Sequence, residues 1–127
     1  MKFETLHDFA LHYTAAWGSQ DPASVAEHFS RGGSLTINGG VPAAGRTAIT
    51  DVARSFMTAF PDLQLRMDDL LIDDGSAVYR WTLISAGRHV RISGFEEWTI
   101  GEEGLIAESQ GHFDAADYNR QLGAIQR

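Results

Sequence analysis

The chain has 127 residues, 43% of them hydrophobic and 21% charged, which is the size and composition of one folded domain, here 1–127, with a single core. Its formal net charge of -7 argues against a nucleic-acid partner, because phosphate binding needs clustered lysine and arginine side chains. The absence of cysteine excludes disulfides, thiolate nucleophiles and cysteine-ligated metals.

The N-terminal part of the chain predicts two helices. From Phe3 to Trp17, apolar residues recur at spacings of three and four, which is the pattern of one buried helix face. Asp21 and Pro22 then suit the N-cap and the first position of a second helix. We expect this short helix to continue to Phe29, where the sequence RGG ends it.

A short strand and a third helix follow. The stretch SLTIN alternates in polarity as a strand does, and Asn38 with the two glycines after it closes the strand as a turn. Thr47 suits the cap of the third helix, which Pro61 should end because proline disfavours helix in the residue before it. The apolar stripe of this helix comprises Ile49, Val52, Ala53, Phe56, Met57 and Phe60.

The second half of the chain changes to strand patterns. The segments DLQLRMDDLLI, SAVYRWTLISA, HVRISGFEEWTI and GLIAESQGHF alternate or run apolar, with glycine-containing turns between them. Four strands joined in this way predict an antiparallel meander, and 114–123 predicts a short final helix. Helices followed by strands indicate an α+β fold, in which three N-terminal helices wrap a curved, mainly antiparallel sheet into a cone with an internal pocket.

Four stretches together resemble a known family. They are GRTAI, AFPDLQL, VYRWTL, and FD followed by NRQLG, and in this order they resemble the SnoaL-like polyketide cyclases. That family belongs to the nuclear transport factor 2-like superfamily, which also holds ketosteroid isomerases and limonene epoxide hydrolases. The resemblance extends from Phe3 to Gly123 and implies a cystatin-like α+β barrel, a deep and mostly apolar pocket, and a homodimer.

The chain also departs from the family pattern. The last strand of the family commonly reads E-H-W-D-x-F-D, whereas Gln110 and Gly111 stand here in place of the tryptophan and the internal acid. If that acid transfers protons in active relatives, this chain needs another residue for the task. Arg80 matches an arginine of the epoxide hydrolases, but Thr82 stands where their aspartate follows, so epoxide hydrolysis by that mechanism is not expected.

Asp114 and His112 are the predicted catalytic residues. Asp114 matches the final acid of the family's FD pair, and a carboxyl enclosed by apolar surroundings becomes a useful general acid or base near neutral pH. The alternative for Asp114 is that it caps the final helix. Histidine ordinarily titrates near neutral pH, which suits proton transfer, although His112 also fits a partly exposed strand residue that makes one hydrogen bond.

The last strand has one polar and one apolar face. Glu108, Gln110 and His112 occupy every second position, so their side chains share a face. The opposite face is small or apolar and includes Ser109 and Phe113. Because burial favours the apolar set, we expect it to face the core or the pocket, and the polar row to face solvent or a partner subunit.

The predicted ligand site draws on aromatic and polar side chains from several elements. Tyr13 offers a hydroxyl donor, Asn38 offers an amide unless it serves only the turn, and Arg80 binds an anionic or carbonyl group unless it forms a structural ion pair. Most of the aromatic residues fit the core equally well. The predicted substrate-binding residues are Tyr13, Trp17, Asn38, Phe56, Phe60, Arg80 and Trp98.

These features leave two functions open. The first is a cofactor-independent cyclase or isomerase that transfers a proton on a small hydrophobic carbonyl compound. The alternative is a non-catalytic domain of the same fold that binds a small molecule or serves as a dimeric scaffold.

The sequence contains no pattern typical of a metal site, a cofactor site or a membrane span. The five histidines show no metal-ligand spacing, and no phosphate or dinucleotide motif is present, so neither a metal nor a cofactor is expected. The N-terminus does not resemble a signal peptide, and no segment approaches the roughly 20 apolar residues of a membrane span. We therefore expect a cytoplasmic protein without a membrane partner.

Overall fold

The computed structural model describes residues 3–125, and within that range helices pack against one curved six-stranded sheet. The helices are α1 (Phe3–Gly18), α2 (Pro22–Ala26), α3 (Arg46–Ala59) and α4 (Ala115–Ile125), and a single 3-10 turn covers Ala86–Arg88. The strands are β1 (Phe29–Ile37), β2 (Ala43–Ala44), β3 (Gln64–Asp73), β4 (Ser76–Ser85), β5 (Val90–Ile100) and β6 (Ile106–Phe113). The predicted α+β fold is confirmed. No helix in the described range is both long enough and apolar enough to cross a membrane.

The sheet is mixed, with the strand order β2-β1-β6-β5-β4-β3. Strands β3 to β6 form the predicted antiparallel meander, and β1 adds to it in parallel with β6, which the strand pattern did not predict. The ladder shifts register between Met67 and Asp69 and again after Thr99. Such bulges bend strands, and α1 and α3 cover the inner face of the bent sheet through contacts with β3 and β1.

The predicted start of α2 is confirmed, and its predicted end is wrong. Asp21 is the N-cap, and its side chain accepts a hydrogen bond from the backbone N–H of Ala23 at 3.2 Å. The helix ends at Ala26, and Phe29 is the first residue of β1. Phe29 is fully buried and pairs in parallel with Ile106, so a long-range strand contact overrides the helical pattern of the local sequence.

The start of α3 also differs from the prediction. The helix begins at Arg46, and its N-cap is Gly45, which makes no side-chain cap bond, so the predicted Thr47 cap is wrong. Gly45 has a φ of 87°, a left-handed value that glycine adopts without steric cost. The predicted stop is confirmed, because the helix ends at Ala59, just before the Phe-Pro pair that contains Pro61.

An aromatic cluster joins α1 to the inner face of the sheet. The Tyr13 ring meets Tyr79 and Trp98 edge-on, with centroid distances of 5.5 and 5.3 Å. Tyr79 and Trp98 stack on each other at 4.8 Å, and the Tyr79 hydroxyl lies 2.6 Å from Thr14 Oγ1. Edge-on and offset arrangements are the favoured geometries of aromatic pairs, so this cluster fixes where α1 sits on the sheet.

Gly94 on β5 lies where the neighbouring strand and the Trp81 ring leave no room for a side chain. A Cβ at that position would lie 2.4 Å from the backbone oxygen of His112 and 2.6 Å from Cζ2 of Trp81. Because a backbone atom in a neighbouring strand cannot swing away, we expect Gly94→Ala to lower the free energy of unfolding by about 2–3 kcal/mol, measured by urea denaturation.

Gly111→Ala is the matched control for that substitution. A Cβ there comes no closer than 3.6 Å to an atom outside the adjoining residues, so its cost should stay below about 1 kcal/mol. Equal losses for the two variants would contradict the packing described for Gly94.

Candidate active site

A cavity opens between α1, α3 and the inner face of the sheet. Its volume is about 50 Å³ and its wall is almost entirely apolar, so it has room for a small apolar group. The lining residues are Trp17, Leu35, Ile37, Phe56, Leu65, Trp81, Leu83, Glu96, Gly111 and Phe113. Among these described residues, Glu96 alone carries an ionisable side chain.

Strand alternation turns Glu96 into this cavity. Successive side chains of a strand point to opposite faces, and Ile92 and Trp98, which share a face of β5 with Glu96, are buried in the core. Glu96 is only 6% exposed, whereas the adjoining Glu97 is exposed to solvent. Two glutamates in succession therefore separate into one buried and one solvent-facing carboxylate.

Three side chains donate hydrogen bonds to the Glu96 carboxylate. Ser109 Oγ donates to Oε1 at 2.7 Å, and Trp98 Nε1 donates to the same oxygen at 3.1 Å. The Tyr13 hydroxyl lies 3.0 Å from Oε1 and 3.2 Å from Oε2. Donors from α1, β5 and β6 therefore converge on Oε1, while Oε2 receives only the longer contact with Tyr13 and keeps lone pairs for another partner.

Burial has the largest effect on the pKa of the Glu96 carboxyl. Removal from water disfavours the charged form and raises the pKa of Glu96, although the hydrogen bonds from Ser109, Trp98 and Tyr13 act in the opposite direction. The pKa of Tyr13 is raised well above its ordinary value, first by burial and then by the charge of Glu96. Tyr13 is therefore a neutral hydrogen-bond donor to Glu96.

Gly111 lies directly opposite Glu96 on the adjacent strand. The two residues are register partners in the ladder of β5 and β6, and a Cβ on Gly111 would lie 3.7 Å from Cγ of Glu96. Position 111 thus opens onto the same cavity. The acid that the family pattern places at position 111 is absent, and Glu96 supplies a carboxylate to the same space from one strand away.

Four of the predicted binding residues meet at this site. Trp17 and Phe56 line the cavity, and their rings meet edge-on with centroids 5.9 Å apart. Tyr13 and Trp98 donate to the carboxylate of Glu96. Residues from α1, α3 and β5 are thus brought together by the fold, although they are far apart in the sequence.

The other three predicted binding residues lie outside the cavity lining. Phe60 is fully buried in the core. Asn38 adopts a left-handed conformation in the turn after β1, with a φ of 51°, and its Oδ1 accepts a hydrogen bond from the backbone N–H of Phe113 at 2.9 Å. Arg80 is exposed on the outer face of the sheet, and its guanidinium lies 5.9 Å from the centroid of the Phe95 ring.

The predicted catalytic residues His112 and Asp114 are also outside that lining. The His112 ring stacks on Phe95 at 4.8 Å, and its Nε2 lies 2.8 Å from Oε1 of Glu97. Asp114 precedes α4, and its Oδ1 accepts a hydrogen bond from the backbone N–H of Asp117 at 3.0 Å, which is the contact of a helix N-cap. Each side chain therefore already has a partner at the surface of the sheet or at a helix end.

Glu96 and Ser109 were not predicted as site residues. The prediction that the apolar face of β6 points inward is confirmed, since Ser109 is buried and Phe113 lines the cavity. A signal for Glu96 exists in the sequence, because it alternates with Trp98 and thus stands on the apolar side of its strand. A charged residue on an apolar strand face indicates a functional carboxylate when a cavity lies above it.

The described residues at the site suit proton transfer and do not form a set of metal ligands. Within residues 3–125, no group of three or more histidine, aspartate and glutamate side chains converges in a way that could hold a metal ion. The one carboxyl in the cavity wall, that of Glu96, accepts hydrogen bonds from hydroxyl and indole donors. Such an arrangement can accept or donate one proton beside an apolar ligand.

The fold and the cavity define the class of protein, and the sequence defines the family. The α+β barrel is of the cystatin-like, ketosteroid isomerase-like type. A family profile for the SnoaL-like domain matches residues 10–109, which is the greater part of the chain. The chain belongs to the SnoaL-like domain family. Among curated protein sequences, none matches it.

Solved structures share this fold at low sequence identity. TsrD from Streptomyces laurentii aligns over 98% of this chain and 98% of its own, with 21% identity and a TM-score of 0.81. A protein from Jannaschia sp. CCS1, assigned as a SnoaL-like polyketide cyclase, aligns over 95% of this chain and 93% of its own, with 15% identity and a TM-score of 0.81. A protein from Catenulispora acidiphila with a ketosteroid isomerase-like fold, crystallised with trimethylamine, aligns over 91% and 92%, with 12% identity and a TM-score of 0.79.

The raised pKa of Glu96 predicts a specific dependence of stability on pH. The folded protein holds this proton more tightly than the unfolded chain, whose glutamate pKa is near 4.5. The contribution of Glu96 to stability is therefore fully present below pH 4.5 and declines as pH rises from there through the folded-state pKa. Relative to Glu96→Gln, the wild-type free energy of unfolding should fall by up to about 1.4 kcal/mol per pH unit in that window.

Urea denaturation of both proteins at a series of pH values measures this difference. Comparison with the glutamine variant cancels the titration of the other acids, so the trend reports on Glu96. A difference that grows with pH would show that the hydrogen bonds outweigh burial and would contradict the assignment.

Proposed function

We propose that this protein binds a small, largely apolar carbonyl compound in the cavity and that Glu96 transfers a proton on it without a cofactor. The observation that carries the proposal is the single ionisable group in an apolar wall, with burial raising its pKa. The family includes members assigned as polyketide cyclases, which is consistent with carbonyl chemistry. The reaction class is an isomerisation or an aldol-type cyclisation.

The chemistry follows from the base strength of the carboxylate. A carboxylate with a raised pKa is a stronger base than an exposed one, which favours removal of a proton from the carbon next to a carbonyl group. Oε2 of Glu96 is the oxygen with free lone pairs, because donors converge on Oε1. As the C–H bond breaks, its electron pair forms the carbon–carbon double bond of an enolate, the π pair of the carbonyl group moves to the oxygen, and the proton passes to Oε2.

The enolate then has two outcomes. In an isomerisation, Glu96 returns the proton to a different carbon of the same molecule. In a cyclisation, the enolate carbon attacks a second carbonyl carbon, and the resulting alkoxide takes up the proton. Either route returns Glu96 to its starting charge, so no oxidant, reductant or cofactor is consumed.

A second candidate function is binding without catalysis. The observation in its favour is that Glu96 already accepts hydrogen bonds from three side chains, as a purely structural carboxylate does. On this alternative the carboxylate holds α1 against the sheet, and the cavity takes up an apolar molecule that leaves unchanged.

Exchange of the α-protons of cyclopentanone in deuterium oxide distinguishes the two functions. We expect the wild-type protein to accelerate exchange, followed by NMR, and Glu96→Gln to reduce the catalysed rate by about 100-fold or more, because general-base catalysis contributes on that order. Glu108→Gln is the matched control, since it removes an exposed carboxylate that contacts Gln110 on the opposite face of the sheet. That variant should keep the wild-type rate.

Three outcomes would count against Glu96 as the base. Exchange that persists in Glu96→Gln but disappears in Asp114→Asn or His112→Ala would assign the chemistry to the residues first predicted from the sequence. Full exchange in all three variants would leave the base elsewhere. Binding of cyclopentanone without any exchange would favour the non-catalytic function.

A further inference from the structure

The final helix, α4, packs against the part of the cavity wall that α3 and β6 form. Phe56 and Phe113 line the cavity, and their rings meet edge-on with centroids 6.5 Å apart. The Tyr118 ring of α4 contacts both rings, with centroid distances of 6.0 Å to Phe56 and 5.4 Å to Phe113. It also meets the buried ring of Phe60 at 6.1 Å. Tyr118 therefore backs this part of the wall and holds the two phenylalanine rings in place.

A side-chain amide attaches α4 to the sheet. Gln121 Oε1 accepts a hydrogen bond from the backbone N–H of Arg91 at 3.0 Å, and Gln121 Nε2 donates to the backbone oxygen of Arg91 at 3.1 Å. Since β6 has already ended at Phe113, which pairs with Gly94, this amide bonds to the part of β5 that extends beyond β6. Apart from the cap at Asp114, no other hydrogen bond joins α4 to the remainder of the described chain.

The cavity has to enlarge before a ring compound reaches Glu96. With a volume of about 50 Å³ it has room for a small apolar group only, so part of the densely packed wall must move. The aromatic cluster around Tyr13 holds α1 on the sheet, whereas α4 exposes one side to solvent, including Asn119 and Arg120. Local opening occurs in elements with few buried contacts, which makes α4 the part that opens at the lowest cost.

We propose that α4 is a gate, which swings away from the sheet about Asp114, withdraws the Tyr118 ring from the wall and admits an apolar carbonyl compound to Glu96. This inference rests on the proposed function for the chemical class of the ligand, and it adds how a ligand larger than the closed cavity enters. Asp114 suits the hinge because it alone separates β6 from α4. The two bonds between Gln121 and Arg91 are the latch that keeps the gate closed.

Amide hydrogen exchange, followed by NMR, measures the opening of α4. In the wild-type protein the α4 amides should exchange faster than those of β4 and β5, because the gate opens while the sheet stays intact. Gln121→Ala removes both bonds to Arg91, so we expect the α4 amides of this variant to exchange about tenfold faster than in the wild type. Wild-type α4 amides that exchange no faster than those of the sheet would overturn the gate.

Arg120→Ala is the matched control for the latch. Gln121 and Arg120 both contact Asp117 within α4, so each variant loses that contact. Arg120→Ala keeps the two bonds to Arg91, and its α4 amides should exchange within about twofold of the wild-type rate, because exposed ion pairs contribute little.

The association rate of cyclopentanone, obtained from NMR line shapes during a titration, connects the gate to ligand entry. The ligand enters only from the open fraction, so this rate should rise in Gln121→Ala by the same factor as the exchange of the α4 amides. An unchanged rate in Gln121→Ala, or an equal rise in Arg120→Ala, would overturn the gate.

The same titration separates the gate from the chemistry of the cavity. Cyclopentanone that binds at the expected rates without exchange of its α-protons would contradict the catalytic proposal and support the gate. Failure of cyclopentanone to bind to the wild type and to both variants would overturn the gate and the proposed ligand class together.

Discussion

A carboxylate buried among hydrogen-bond donors is the interaction on which this structure depends. Glu96 sits in an apolar wall, and its hydrogen-bond donors come from α1, β5 and β6 through Tyr13, Trp98 and Ser109. A charge in such surroundings is costly unless neighbouring groups compensate for it. The ring of Tyr13 that carries one donor is also the ring that packs α1 on Tyr79 and Trp98. The contacts that assemble the fold therefore also place and tune the carboxyl.

The space around that carboxyl exists because neighbouring positions lack side chains. Gly111 stands in register with Glu96 and leaves room above it, while Gly94 leaves room for the ring of Trp81. The result is a small apolar cavity with the Glu96 carboxyl in its wall. A cavity of this size has room for a small apolar group only.

Local patterns in the sequence predicted the features that depend on contacts between residues close together in the chain. Helical spacing gave α1 and α3, and Asp21 and Pro61 marked a start and an end through their own backbone chemistry. Phe29 was assigned to a helix because its pairing with β6 is a long-range contact that no local pattern contains. The replacement at Gly111 was visible in the sequence, but its compensation by Glu96 depends on the register of two strands. Two acids in succession, such as Glu96 and Glu97, resemble a solvated pair until that register is known.

The most direct test of this account is the pKa of Glu96 itself. Carboxyl carbon signals of the labelled protein, followed by NMR as a function of pH, report each glutamate separately, and comparison with Glu96→Gln assigns the signal of Glu96. The account predicts a midpoint clearly above the ordinary glutamate value of 4.5, because burial outweighs the donors. A midpoint at or below that value would mean that Glu96 is ionised as a structural acceptor, and it would contradict its role as the base of this cavity.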